Sequence, residues 1–284
     1  MEIIVAENAG FCFGVKRALD LVARAARDRS RPVHTLGPLI HNPQEIARLE
    51  SLGVHHAESL DEIPGGAVVL SAHGVDPAVE AEARARGLQV IDATCPFVRR
   101  AHRHIRTLAE RGYAVVILGD PGHREVGGLA ARAGGRAHIV TSAADAQALP
   151  VQKRYGLVVQ TTQRSETLRQ VAGALAERCA ELRVFNTICE ATVARQDSAR
   201  ELAERVDVMI VVGGRNSANT ARLREICAAT GTPTHHLEVA QELEPQWLAS
   251  ATRVGVTAGA STPEWIIGQV VERLRTLGDE SAQA

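Results

Sequence analysis

Three cysteines stand in similar surroundings along the chain, which indicates chemistry rather than packing. Cys12, Cys95 and Cys189 each follow an apolar, strand-like run and each precede a segment with helical spacing. More than eighty residues separate successive members, and no Cys-x-x-Cys pair occurs. Three thiolates without a local pair fit a [4Fe–4S] cluster with one iron open to substrate better than a structural zinc, which normally has four protein ligands. Zinc and three buried structural cysteines remain the alternatives.

Polar residues recur at nearly fixed distances after these cysteines. Thirty residues on lie Asn42, Glu125 and Asn219, and 28 or 29 residues on lie His41, His123 and Ser217. Imidazoles, hydroxyls and amides at helix starts supply the several donors that a diphosphate needs. The candidate set for such a site is His41, His73, His123, Thr161, Thr162, Ser217, Asn219 and Ser261. Glu125 is its one carboxylate and the natural proton donor, the alternative being a carboxylate paired with the N–H groups of a helix start.

Strand-like and helix-like segments alternate along the chain, which predicts parallel sheets with right-handed crossovers. We predict an α/β fold of three small domains around a pseudo-threefold axis. Their bounds are residues 14–95, residues 96–190, and residues 191–277 together with 1–13, with 278–284 as a frayed tail. Ligands of parallel sheets bind beyond the carboxyl ends of the strands. Three such edges facing one axis would bring the three cysteines together.

Composition excludes several classes of protein. The 284 residues carry 32 Lys and Arg against 33 Asp and Glu, so no overall charge favours nucleic acid or an anionic membrane. Neither a signal peptide nor a membrane-length apolar stretch occurs, and we expect a soluble cytoplasmic monomer. Five cysteines, an odd number, argue against a disulfide framework. Cys179 and Cys227 lie in segments with helical spacing and are expected to be small core residues.

Nine motifs in order resemble one family, the 4-hydroxy-3-methylbut-2-enyl diphosphate reductases, also called LytB or IspH. They are GFCFGVKRA (10–18), GPLIHNP (37–43), SAHGV (71–75), DATCP (92–96), GHREV (122–126), QTT (160–162), NTICEAT (186–192), RNSAN (215–219) and TAGAS (257–261). The resemblance covers essentially the whole chain. It implies three α/β domains around a central [4Fe–4S] cluster, and reductive removal of an allylic hydroxyl with electrons from a ferredoxin or flavodoxin. The nearest alternative enzyme is a quinolinate-synthase-like dehydratase, which would have to recognise carboxylates and does not match these motifs. The other alternative is a non-catalytic zinc- or phosphate-binding module.

The resemblance also implies roles for individual residues. The cluster ligands would be Cys12, Cys95 and Cys189. The substrate-binding residues would be His41, His73, His123, Thr162, Ser217, Ala218, Asn219 and Ser261. The catalytic residues would be Glu125, Thr161 and His123. Two positions depart from the family pattern: Ala218 replaces a serine and leaves only its main-chain N–H for phosphate, and Glu190 adds a negative charge after the third cysteine.

Overall fold

A computed structural model describes residues 1–28 and 30–283. Its strands form three four-stranded sheets, and all the strand pairs of the described residues are parallel. The strands are β1 (Glu2–Val5), β2 (Val33–Leu36), β3 (Val54–Ala57), β4 (Ala67–Leu70), β5 (Gln89–Asp92), β6 (Ala114–Leu118), β7 (His138–Val140), β8 (Gln152–Val159), β9 (Cys179–Phe185), β10 (Val208–Val212), β11 (Thr234–Leu237) and β12 (Arg253–Ala258). The predicted α/β class is confirmed.

Helices occupy most of the connections between strands. They are α1 (Phe13–Arg27), α2 (Pro43–Ser51), α3 (Pro77–Ala85), α4 (Pro96–Glu110), α5 (Arg124–Arg132), α6 (Ala143–Gln147), α7 (Ser165–Ala176), α8 (Glu190–Ala203), α9 (Ala218–Ala228) and α10 (Glu264–Gln283). Proline begins α2, α3 and α4, where its missing N–H removes no helical hydrogen bond. No helix of the described residues combines the length and hydropathy needed to cross a bilayer.

The three sheets share one strand order. It is β3-β2-β4-β5 in the first, β7-β6-β8-β9 in the second and β11-β10-β12-β1 in the third. β1, from the start of the chain, therefore takes the fourth place beside β12, with Ile3 opposite Val254. Because parallel strands are covered on both faces, the central strands are mostly apolar and buried, with exceptions such as the buried His34 and Thr35 of β2. All five residues of β10, for example, are buried.

The chain divides into two compact units, and each sheet lies within one of them. One contains β1, residues 41–45 and the chain from Glu190 onward, and so holds the third sheet. The other contains residues 14–40 and 46–189, and holds the first two sheets. In the first unit, Ile266 and Val270 of α10 pack on the sheet through Val254 and Val256 of β12. In the second unit, Ile105 of α4 packs in the core that covers β6 and β8.

The structure departs from the sequence expectations at two places. Cys179 is not helical but is the first residue of β9, because α7 ends at Ala176 and the pairing of β9 with β8 begins opposite Gln152. It is half-buried rather than part of the core. α10 continues to Gln283, beyond residue 277 where the third domain was predicted to end, and Ala284 lies outside the described residues.

Candidate active site

The three repeat cysteines occupy the same position in the three sheets. Each follows the fourth strand of its sheet and directly precedes a helix, α1, α4 or α8. Each main-chain N–H donates to a carbonyl in the loop after the third strand: Cys12 to Ala260 (3.2 Å), Cys95 to Ala72 (3.0 Å) and Cys189 to Thr161 (3.0 Å). A helix N-terminus stabilises a thiolate. All three positions therefore suit metal-binding thiols.

The other two cysteines have different surroundings. Cys227 is fully buried in α9, its Sγ lies 3.7 Å from the carbonyl oxygen of Ala199, and burial raises the pKa of its thiol to about 12. Cys179 directs its Sγ to the carbonyl of Leu175 at 3.3 Å. Neither begins a helix, and Cys227 stays protonated at neutral pH.

Two arginines hold the loops in front of the cysteines. Arg195 of α8 is buried and donates to the carbonyls of Asn8 and Gly10, both at 2.7 Å, in the loop that follows β1. Arg17 of α1 donates to the two carbonyls directly before Cys95, both at 3.3 Å. Sequence reasoning missed both. The signal was an arginine five or six residues after a repeat cysteine, one helical turn into the next helix.

Three helix starts carry the second set of candidate residues, and they correct the spacing read from the sequence. The N-cap residues of α5 and α9 are His123 and Ser217, which accept the N–H groups of Glu125 (3.1 Å) and Thr220 (3.3 Å). The matching residue before α2 is Asn42, not His41: it is almost fully buried, and its Oδ1 accepts the N–H of Glu45 at 2.8 Å. A fixed count failed because this start lies 30 residues after its cysteine and the other two lie 28 after theirs.

Counted from the helix starts, the equivalents of Glu125 are Gln44 and Asn219, each the second residue of its helix. Among the described residues, both side-chain polar atoms of Asn219 and the Oε1 of Gln44 are buried without a hydrogen-bond partner. Buried polar atoms without a hydrogen-bond partner destabilise the fold unless a bound ligand supplies the partner. Gln44 is a candidate that sequence reasoning missed, and aligning the helix starts instead of counting residues would have found it.

Glu125 and Thr161 form a buried pair. The side chain of Glu125 is 2% exposed, and its two oxygens accept the N–H of Thr161 at 2.7 Å and the hydroxyl of Thr161 at 2.8 Å. The Nδ1 of His123 accepts the N–H of Glu125, so a neutral ring carries its proton on Nε2. The carboxyl and the hydroxyl are thus joined by a hydrogen bond of the kind that proton transfer requires, and the imidazole belongs to the N-cap residue of the same helix.

His73 lies beside this group, in the loop after β4. Its ring meets the ring of His123 edge to face, with centroids 5.5 Å apart. The loop turns at Gly74, whose φ is +77° and where a Cβ would come within 2.6 Å of His102. Burial, with a smaller effect from the positive charge of Arg132, lowers the pKa of His102 to about 3. His102 is therefore a neutral packing residue beneath the His73 loop.

An ion pair fixes the beginning of α5. Arg124 donates to Glu58 at 2.8 Å and lies against Gly37, whose Cβ position would fall within 1.8 Å of the guanidinium. The bonds from His56 and Arg124 hold the pKa of the Glu58 carboxyl below its usual range. Since α5 carries Glu125 and Glu58 follows β3, this contact joins the start of the helix to the first sheet.

The remaining candidates also lie in loops at the carboxyl ends of strands. Thr162 accepts the side-chain N–H of the fully buried Gln160 at 3.1 Å. Ser261 is half-buried and follows β12. Ala218 is the first residue of α9, and Glu190 is the exposed first residue of α8.

The candidates divide between the two compact units. The unit with the first two sheets brings Cys95, His73, His123, Glu125, Thr161, Thr162 and Cys189 to the carboxyl ends of its strands. The other unit contains Cys12, His41, Ser217, Ala218, Asn219 and Ser261. In that unit the carbonyl oxygen of His41 lies 2.7 Å from the Cβ position of Gly214, so a larger residue at 214 would displace it.

Comparisons with known proteins agree along nearly the whole chain. The model of the LytB protein family matches residues 3–275. A protein of Geobacter sulfurreducens is 50% identical over 275 residues, 97% of each chain, and one of Pelobacter propionicus is 47% identical over 274 residues, 96% of this chain and 98% of that one. Both are named 4-hydroxy-3-methylbut-2-enyl diphosphate reductase.

Two solved structures are also similar. The reductase of Plasmodium falciparum superposes with a TM-score of 0.91 at 29% identity, covering 95% of this chain and 87% of that one. A second reductase, described as the terminal enzyme of the non-mevalonate pathway, has a TM-score of 0.71 at 44% identity, covering 97% and 100%.

Proposed function

The chain belongs to the LytB family, and from that premise we propose that it reduces 4-hydroxy-3-methylbut-2-enyl diphosphate to isopentenyl and dimethylallyl diphosphate, the last step of the methylerythritol phosphate route to isoprenoids. The reaction consumes two electrons and two protons and releases the allylic hydroxyl as water. One observation carries the proposal: each of the three repeat cysteines directly precedes a helix, and each main-chain N–H donates to a carbonyl in the loop after the third strand of its sheet.

We propose a [4Fe–4S] cluster as the cofactor, held by Cys12, Cys95 and Cys189. The donor set fits: each thiol stands at a helix N-terminus that favours the thiolate, and three ligands leave one iron free. When bound, such a cluster supplies electrons and a Lewis-acidic iron for the hydroxyl of the substrate. Arg195 and Arg17 hold two of the ligand loops in place by bonds to main-chain carbonyls.

The substrate-binding residues proposed are His41, His73, His123, Thr162, Ser217, Ala218, Asn219 and Ser261, with Gln44 added by the structure. The start of α9 presents the main-chain N–H of Ala218 to a phosphate oxygen, as helix N-termini commonly do. The buried amide of Asn219 has unused donor and acceptor atoms for the same ligand. The role of these groups is orientation, which contributes at most about 7–11 kcal/mol to lowering a barrier.

Proton delivery is assigned to the buried pair. The Glu125 carboxyl releases a proton through the Thr161 hydroxyl, to which it is bonded at 2.8 Å. His123 holds a second proton on Nε2, because its Nδ1 accepts a main-chain N–H. Burial of Glu125 and Thr161 excludes bulk water from the carboxyl. Protonation at either end of the allyl system gives the two products.

We propose a ferredoxin or flavodoxin as the electron donor. We also propose that the enzyme acts as a monomer. Free thiols suit a reducing compartment, and we propose the cytoplasm.

The test is anaerobic turnover of the hydroxylated diphosphate with reduced methyl viologen, alongside iron and zinc analysis of the purified protein. The proposal predicts iron, visible absorbance of an iron–sulfur chromophore, and both five-carbon diphosphates as products. Zinc with a featureless spectrum would instead support a binding module. Iron without turnover of this substrate would refute the assigned reaction.

A further inference from the structure

A cluster of basic and aromatic side chains covers one side of α4 and the end of β9. It consists of Phe97, Arg100, Arg103, His104, Arg183 and Phe185, here called the arginine patch. The rings of His104 and Phe185 stack with centroids 4.0 Å apart and 18° between their planes. The guanidinium of Arg183 lies 5.0 Å from the Phe185 ring. Because β9 is the edge strand of the second sheet, the patch lies at a sheet edge.

The charges of the arginine patch are not neutralised by neighbours. Among the residues that the structure describes, none of Arg100, Arg103 and Arg183 forms an ion pair with a carboxylate, whereas the adjacent Arg99 pairs with Asp92 at 2.8 Å. Burial, and then the three positive charges, lower the pKa of His104. The positive charges of all three arginines therefore act on the same imidazole, that of His104. Unpaired guanidinium groups this close together repel one another, and a negatively charged partner would neutralise that repulsion.

The arginine patch lies next to two of the proposed cluster ligands. Phe97 is two residues after Cys95, so their Cα atoms are at most about 7.6 Å apart. Phe185 is four residues before Cys189, which limits their Cα separation to about 15 Å. Electron transfer between proteins weakens steeply with distance. A partner seated on this patch would be close to the point where electrons must enter.

We propose that the arginine patch docks an acidic protein that carries one electron at a time. This inference rests on the proposed function, since it concerns how the reductase receives its electrons. Each substrate molecule requires two electrons, so two carrier molecules are oxidised in turn and the docked complex must form and separate twice. Electrostatic steering by unpaired arginines gives fast, reversible association of this kind. Small, weak interfaces are typical of electron-transfer partners.

An acidic protein fits this surface better than RNA, the other polyanion that binds arginines. Base stacking on a protein needs uncovered aromatic faces. Here His104 stacks on Phe185, and a guanidinium lies over each phenylalanine, Arg183 over Phe185 and Arg100 over Phe97 at 5.7 Å. These rings position the charges and do not offer a stacking platform.

The test compares Arg100→Glu and Arg103→Glu with the matched control Arg224→Glu, an exposed arginine of α9. The holoenzyme is assayed with two reductants, reduced methyl viologen and an acidic flavodoxin, and flavodoxin binding is titrated calorimetrically at low and high salt. The patch variants should lower the flavodoxin kcat/KM and weaken flavodoxin binding about tenfold or more at low salt. The differences should shrink at high salt, and viologen turnover should stay within about twofold of the original. Arg224→Glu should change neither.

Several outcomes would overturn the proposal. Equal flavodoxin binding by the patch variants and Arg224→Glu would show that the carrier docks elsewhere. Equal losses with flavodoxin and viologen would show that these arginines support the chemistry and not docking. Tighter binding of single-stranded RNA than of flavodoxin, abolished by the patch variants, would assign the patch to RNA. Absence of turnover with viologen in the unaltered enzyme would instead refute the proposed function.

Discussion

Replacing Glu125 by glutamine tests the assigned proton donor. Glutamine keeps the size of the side chain and one acceptor, so its oxygen can still accept the N–H of Thr161, and the hydroxyl can turn to accept the new amide. Each of the two hydrogen bonds with Thr161 is worth about 1 kcal/mol, so even the loss of both would cost about 2 kcal/mol. The fold should survive a loss of about 2 kcal/mol, because a typical stability is about 5–15 kcal/mol.

The effect on turnover should be much larger than the effect on folding. An amide cannot release a proton at neutral pH, and general acid assistance is typically worth about 10²–10⁴-fold. We therefore expect kcat to fall by that factor while substrate affinity changes little, because the contacts proposed for His41, Ser217 and Asn219 remain. The assay is steady-state reduction with viologen together with a direct binding titration.

Asp207→Asn is a matched control. Like Glu125 with Thr161, Asp207 accepts both the N–H and the hydroxyl of one threonine, Thr252, at 2.9 and 2.8 Å. Its Oδ2 also accepts the N–H of Arg253, and it is exposed and outside the candidate site. Its substitution should leave kcat unchanged. Near-normal turnover by Glu125→Gln would refute the assignment and leave His123 as the next proton donor. Failure to bind substrate would make Glu125 a positioning residue.

Three further predictions concern the cluster ligands, the loop before Cys12 and the pH dependence of stability. Cys95→Ser should lose iron and activity, whereas Cys227→Ser should keep both. Iron analysis and turnover with viologen measure the two effects, and full iron retention in Cys95→Ser would contradict the ligand assignment. Arg195→Met leaves two carbonyls before Cys12 without their hydrogen-bond donor. Thermal unfolding should therefore occur at a lower temperature, and a chelator should remove iron faster. An unchanged rate of iron removal would show that Arg195 does not support the ligand loop. His102 has a folded pKa of about 3, below its unfolded value, so its contribution to stability is complete above pH 6.5 and is lost as the pH falls toward 3. Between pH 7 and 5 the loss is about 2 kcal/mol at about 1.4 kcal/mol per pH unit, measured by urea unfolding, and His102→Gln should show a correspondingly smaller loss.

The sequence by itself determined the α/β class and the family. Apolar runs such as Val208–Val212 are strands because a parallel sheet buries both faces, and glycines such as Gly213 mark where these strands end. The nine motifs identified the family, and each places a polar or thiol side chain in the segment that follows a strand. Local patterns of this kind depend only on neighbours in the chain, so they can be read without coordinates.

Only the tertiary structure decided which residues are equivalent and what holds them. The whole segment from the repeat cysteine to the helix start is two residues longer before α2 than before α5 and α9, so Gln44 and not Asn42 corresponds to Glu125, a difference that no fixed count reveals. Cys179 became a strand residue because its partner Gln152 lies on another strand. Arg195 meets carbonyls about 185 residues away, and the hydroxyl of Thr161 meets Glu125 36 residues away. Hydrogen bonds at such separations depend on how the chain folds back on itself, and local sequence carries no record of that.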